Sequence, residues 1–128
     1  MRRVQLTVGA AVLLAAGCGD DDGGGRAGGA CLDGTSGEVT VVAESIAWDA
    51  DCIDAVADQP LVITIDNRDD GVQHNLHLRD APGRPTTKLE RGPVVQTLEV
   101  TLPAGGYDYI CDIHPNMLGT LRVAPAAG

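Results

Sequence analysis

The chain has 128 residues, 18 acidic against 9 basic side chains, a formal net charge of −9, and only Trp48, Tyr107 and Tyr109 as aromatics. That length supports one domain with one modest core. The acidic balance and scarcity of rings exclude a nucleic-acid binder, which needs a basic face to displace counterions from phosphates and rings on which bases stack.

At the N-terminus, Met1-Arg2-Arg3 precedes an apolar stretch from Val4 to Gly17. It falls short of the ~20 residues a bilayer span needs, so residues 1–17 read as a secretory signal. The stretch closes on Leu14-Ala15-Ala16-Gly17-Cys18, which resembles the lipobox of bacterial lipoproteins. That resemblance implies acylation of Cys18 and a membrane-anchored protein outside the cytoplasm, on the periplasmic or outer cell face. The match departs at Ala15, where a bulky residue usually stands. Gly19 to Ala30 is a Gly/Asp tract that cannot bury a core, and residues 18–30 read as a lipidated start and flexible tether.

Residues 31–128 read as one domain. Short β-branched or alternating runs predict strands at Glu38–Ala43, Pro60–Asp66, Val72–Leu78, Val95–Leu102, Gly106–Cys111 and Thr120–Val123. Pro103-Ala104-Gly105-Gly106 predicts a turn before the penultimate strand. No segment sustains a helical period, so the fold class is all-β, a sandwich or barrel.

The chemistry concentrates near the C-terminus. Cys111-Asp112-Ile113-His114-Pro115-Asn116-Met117 carries a thiol, an imidazole and a thioether within seven positions. Soft sulfur with imidazole suits copper, and a Cys with two His and a weak axial Met is the ligand set of blue-copper electron-transfer sites. His74, in the predicted strand 72–78, supplies the second imidazole. From residue type alone, His74 is also readable as a strand histidine, Cys111 as a buried thiol and Met117 as core packing. Period-two alternation turns His77 away from His74, so it reads as a surface residue or one that supports the ligand region from outside. Asp112, a hard oxygen beside soft sulfur, is expected to point to solvent, and Tyr107, Tyr109 and Cys111 to share one strand face.

With these residues in view, the chain resembles the cupredoxin family of type 1 blue-copper proteins, in the manner of amicyanin and plastocyanin. The matching stretches are Asp66-Asn67-Arg68-Asp69 on to His74-Asn75-Leu76-His77-Leu78, and Pro103 to Cys111 on to Met117 and Gly119-Thr120-Leu121. The resemblance implies a Greek-key β-sandwich of about seven or eight strands, with one copper ion held at one end by His74, Cys111, His114 and Met117. It also makes His114 the solvent-edge port for electrons. Asn67 and Asn75 are readable as braces of the ligand loops or as ordinary turn and strand polar residues.

Two cysteines remain once Cys18 is given to lipid and Cys111 to copper. In an oxidising compartment a Cys31–Cys52 disulfide is the economical reading. A zinc site built from Cys31, Cys52 and His77 has no recognisable spacing.

Four protein ligands leave no open position for substrate, so an enzyme is disfavoured. The leading expectation is a tethered one-electron carrier; the alternative is a copper-binding or copper-delivery lipoprotein that cycles no electrons. Loss of Arg2 and Arg3 with the signal takes the charge from −9 to about −11. The expected partner is a redox protein with a basic docking face, a cytochrome or a copper or respiratory enzyme.

Overall fold

Alternation of buried and exposed side chains builds the scaffold. In the computed structural model, which describes residues 30–126, every strand longer than two residues carries it. The strands are β1 (Leu32–Asp33), β2 (Glu38–Ala43), β3 (Cys52–Val56), β4 (Leu61–Asn67), β5 (Gln73–His74), β6 (His77–Leu78), β7 (Glu90–Arg91), β8 (Val94–Val100), β9 (Gly105–Cys111) and β10 (His114–Ala124). Among the described residues no helix forms, and none is long and apolar enough to cross a membrane.

Two sheets face each other. One runs in the order β1-β3-β10-β9-β6 and the other in the order β2-β4-β8, with β5 and β7 paired separately. Val39, Val41, Ile63 and Ile65 from the second sheet meet Ile53, Leu78, Tyr107, Tyr109 and Leu121 from the first in one apolar core. Burying such side chains contributes ~1.5–3 kcal/mol each and dominates the stability of the sandwich. Tyr107, Tyr109 and Cys111 do share the inner face of β9. The Tyr107 hydroxyl donates to the Pro103 carbonyl at 2.8 Å, a tyrosine corner at the turn read from Pro103 to Gly106.

Among the described residues the strands number ten rather than about seven or eight, because β1, β5, β6 and β7 are two-residue pairings. The expected strand 72–78 is broken. His74, Asn75 and Leu76 are buried in succession, which a single strand with one solvated face does not allow. The chain instead passes between ladders: His74 pairs with Glu90, and His77 with Ile110. The last strand is longer than expected, beginning at His114 with a register break before Leu118. Sequence reading passed over β3, whose alternating Cys-Ile-Asp-Ala-Val is short and crowded by aspartates.

A disulfide joins Cys31 to Cys52, as expected. Gly119 is dictated by packing, since a Cβ there would overlap the Tyr109 ring. The Tyr109 hydroxyl donates to the Ala50 carbonyl at 2.8 Å, and its ring meets Trp48 edge-on at 5.9 Å between centroids.

Candidate metal centre

The ligand-bearing segments converge where β9 turns into β10. Cys111 pairs with His114 across the turn, and pairing then resumes between Ile110 and Leu118. Pro115, Asn116 and Met117 are the extra residues of this bulge, and such irregularities re-aim side chains that a regular ladder would send outward. His74 arrives from β5 on the facing segment.

Cys111 Sγ lies 3.4 Å from His114 Nδ1 and 3.8 Å from His74 Nδ1. One donor atom from each of the three residues fits within 4.8 Å of the others. Donor atoms sharing one first-row ion at ~2.0–2.3 Å stand ~3–4 Å apart, so the spacing suits a single ion. His74 and Cys111 are buried, and His114 is half-buried at the rim. Met117 is fully buried against Cys111 and Ala43, with Trp48 packed on the same cluster. A cysteine sulfur and two imidazoles, with a thioether buried beside the cysteine, are residue types that fit copper.

His74 is held by Asp69. Its Nε2 lies 2.7 Å from Asp69 Oδ2, and because a carboxylate only accepts, Nε2 carries a proton, so that in the neutral ring the lone pair falls on Nδ1, the nitrogen that faces Cys111. Burial pushes the Asp69 carboxyl up, but the hydrogen bonds from His74 and from the Ile46 and Ser45 amides outweigh it and hold the carboxyl below its ordinary range. Burial first, then repulsion from the His74 ring whenever that ring is protonated, lowers the His114 imidazole, with Asp69 opposing. That favours the neutral ring a metal requires.

Both asparagines are buried and spend their amides on the ligand segments. Asn67 Nδ2 donates to the Val72 and Glu90 carbonyls at 2.9 and 3.1 Å, while its Oδ1 accepts from the Asp69 amide at 2.9 Å. Asn75 Nδ2 donates to Asp112 Oδ2 at 2.8 Å and to Thr86 Oγ1 at 3.1 Å.

Asp112 is solvent-facing, as expected. Its side chain is exposed yet fixed, because Oδ2 accepts from Asn75 and Oδ1 from His77 Nδ1 at 2.9 Å. The hydrogen bond from His77 is the main cause that holds this carboxyl low, against some burial. His77 lies outside the ligand cluster and anchors Asp112.

The sequence named Asp69 only within the stretch Asp66-Asn67-Arg68-Asp69 that matches the family. A carboxylate five residues before a candidate ligand histidine was the signal available. Cys18, the signal peptide and the tether lie outside the described residues, so their expected roles carry no structural account.

The cupredoxin-like domain model matches residues 10–123. No curated protein sequence is similar enough to count as a relative. Among solved structures, the dithionite-reduced auracyanin of the photosynthetic bacterium Roseiflexus castenholzii is 21% identical with a TM-score of 0.63, covering 72% of this chain and 100% of its own. Auracyanin B is 21% identical with a TM-score of 0.60, covering 77% and 97%. An oxidised amicyanin variant is 25% identical with a TM-score of 0.54, covering 70% and 84%. With its two-sheet fold, its His74, Cys111 and His114 cluster and a match over most of its length, the chain belongs to the cupredoxin-like family, whose members bind one type 1 copper.

Proposed function

We propose that the protein is an extracytoplasmic blue-copper electron carrier in which His74, Cys111, His114 and Met117 hold the ion. The observation that carries this reading is the placement of the buried Cys111 sulfur 3.4 Å from His114 Nδ1 and 3.8 Å from His74 Nδ1. Bound copper supplies one-electron exchange between Cu(I) and Cu(II) with a ligand set that serves both states. The chain's part is to hold that set still: Asp69 orients His74, and the buried thioether of Met117 closes the fourth side against water. His114 is the solvent-edge port, half-buried and neighboured in sequence by the exposed Ile113 and, four residues on, Leu118. Family membership supports an electron-transfer role rather than catalysis, and the closed donor set leaves no substrate position.

On this reading Cys18 carries the lipid anchor, residues 19–30 form the tether, and the redox partner presents a basic docking face. Loading with Cu(II) tests the assignment. An intense blue colour with reversible reduction, lost in Cys111→Ser, is expected. A pale complex that yields its copper readily to a chelator would replace electron transfer with copper delivery. Mass measurement of the membrane-extracted protein tests the acylation of Cys18.

A further inference from the structure

The turn between β2 and the Trp48 bridge carries no candidate ligand, yet it touches both ligand-bearing regions. Ala43 pairs with Trp48, and the Glu44 amide donates to the Ala47 carbonyl at 3.0 Å, closing a hairpin with Ser45 and Ile46 as its two central residues. Both have positive φ, 56° and 53°. Two successive positive values are the mark of the type I′ hairpin turn, which ordinarily takes Asn-Gly. Ser-Ile is a poor choice, and β-branched Ile46 is a true outlier there. A left-handed residue with a Cβ costs ~1–2 kcal/mol, so surrounding contacts must over-determine this turn.

Those contacts lead to the metal centre. The Ser45 amide donates to Asp69 Oδ1 at 2.6 Å and the Ile46 amide to Asp69 Oδ2 at 2.9 Å. The turn thus cups the carboxylate between consecutive N–H groups, as backbone anion nests do. The same carboxylate holds His74 Nε2. In the other direction, the Ile46 carbonyl accepts from Asn116 Nδ2 at 2.7 Å, and Asn116 stands between His114 and Met117. One residue, Ile46, therefore joins the segment carrying His74 to the loop carrying His114 and Met117. Trp48, just past the turn, packs against Cys111 and Met117.

We infer that the Ser45–Ile46 turn is a positioning clamp for the metal centre, fixing the His74 tautomer through Asp69 and the 114–117 loop through Asn116, so that the donor atoms are set before copper arrives. This rests on the ligand assignment above. Asp69, Asn116, Ser45 and Ile46 act only through the residues they hold.

The test uses the metal-free protein first. Long-range proton–nitrogen correlation is expected to find His74 protonated at Nε2, and Asp69→Ala to shift it toward a mixture of tautomers or to Nδ1–H. Cu(II) affinity, measured by chelator competition, is expected to fall 10–100-fold in Asp69→Ala. Asn116→Ala is expected to weaken binding as well, and the double variant to lose less than the product of the two singles, because both act through Ile46. Thermal melts of the metal-free variants separate loss of fold from loss of positioning. An unchanged tautomer in a folded Asp69→Ala, or strictly multiplicative losses, would overturn the clamp. Failure of the ligand assignment looks different: Cys111→Ser would then bind copper as the wild type does, whatever the tautomer result.

Discussion

Asn75 and Asp112 exchange two hydrogen bonds. Asn75 Nδ2 donates to the Asp112 carboxylate at 2.8 Å, and the Asp112 backbone amide donates to Asn75 Oδ1 at 2.9 Å. These residues directly follow His74 and Cys111, so the pair staples two ligand-bearing segments that are 37 positions apart in sequence. Replacement by Asn75→Ala removes both of these part-buried hydrogen bonds, one of them to a carboxylate, a loss of about 1–3 kcal/mol. The metal-free protein should melt about 4–8 °C lower for each kcal/mol lost. An unchanged melting temperature would contradict the staple.

Tyr109 should resist alkali. Burial first, then the charges of Asp49 and Asp51, push its phenol well above the ordinary 10.0. The folded state therefore favours the neutral ring. That stabilisation is complete below the unfolded pKa of about 10 and declines as pH rises beyond it. In a Tyr107→Phe background, the ultraviolet absorbance of the Tyr109 phenolate is expected to appear only together with loss of the β-sheet dichroism. Ionisation ahead of unfolding would refute this.

The Cys31–Cys52 bridge closes a loop with a sequence separation of 21. Constraint of the unfolded chain gives it about 3 kcal/mol. A Cys31→Ser, Cys52→Ser double variant should lower the unfolding free energy extrapolated from urea melts by that amount while leaving the copper colour intact, since neither sulfur belongs to the ligand cluster.

The formal charge of −9 predicts electrostatic steering. Stopped-flow electron transfer with a basic cytochrome should slow as ionic strength rises, because the Debye length shrinks to ~10 Å at 0.1 M. A flat salt profile would remove the basic partner from the proposal.

The sandwich was legible because burial imposes a period of two on any strand with one solvated face, as in β2, β4 and β9. The cluster of His74, Cys111 and His114 was legible because soft donors at short spacing are chemically specific. What escaped was the context around them. His74 sits where the chain changes ladders, and at such a point three neighbours are buried in a row and alternation misleads. Asp112 was assigned by its own chemistry, whereas its orientation is decided by Asn75 and His77. The Ser45–Ile46 turn left no signal because its residues contradict local turn preference; only contacts distant in sequence explain it.

The disulfide also governs how the domain bears mechanical load. Any pull on the chain preceding Cys31 would, without the bridge, fall on β1, a two-residue strand paired on one side only. Such a strand peels one ladder bond at a time. Because Cys31 is joined to Cys52 at the head of β3, the force bypasses β1 and enters a strand held between β1 and β10. The β3–β10 ladder, paired from Cys52–Thr120 to Val56–Ala124, is then loaded across several bonds at once. Strain applied at the N-terminal side is thereby taken up by the sheet before it can reach the bulge that carries His114 and Met117.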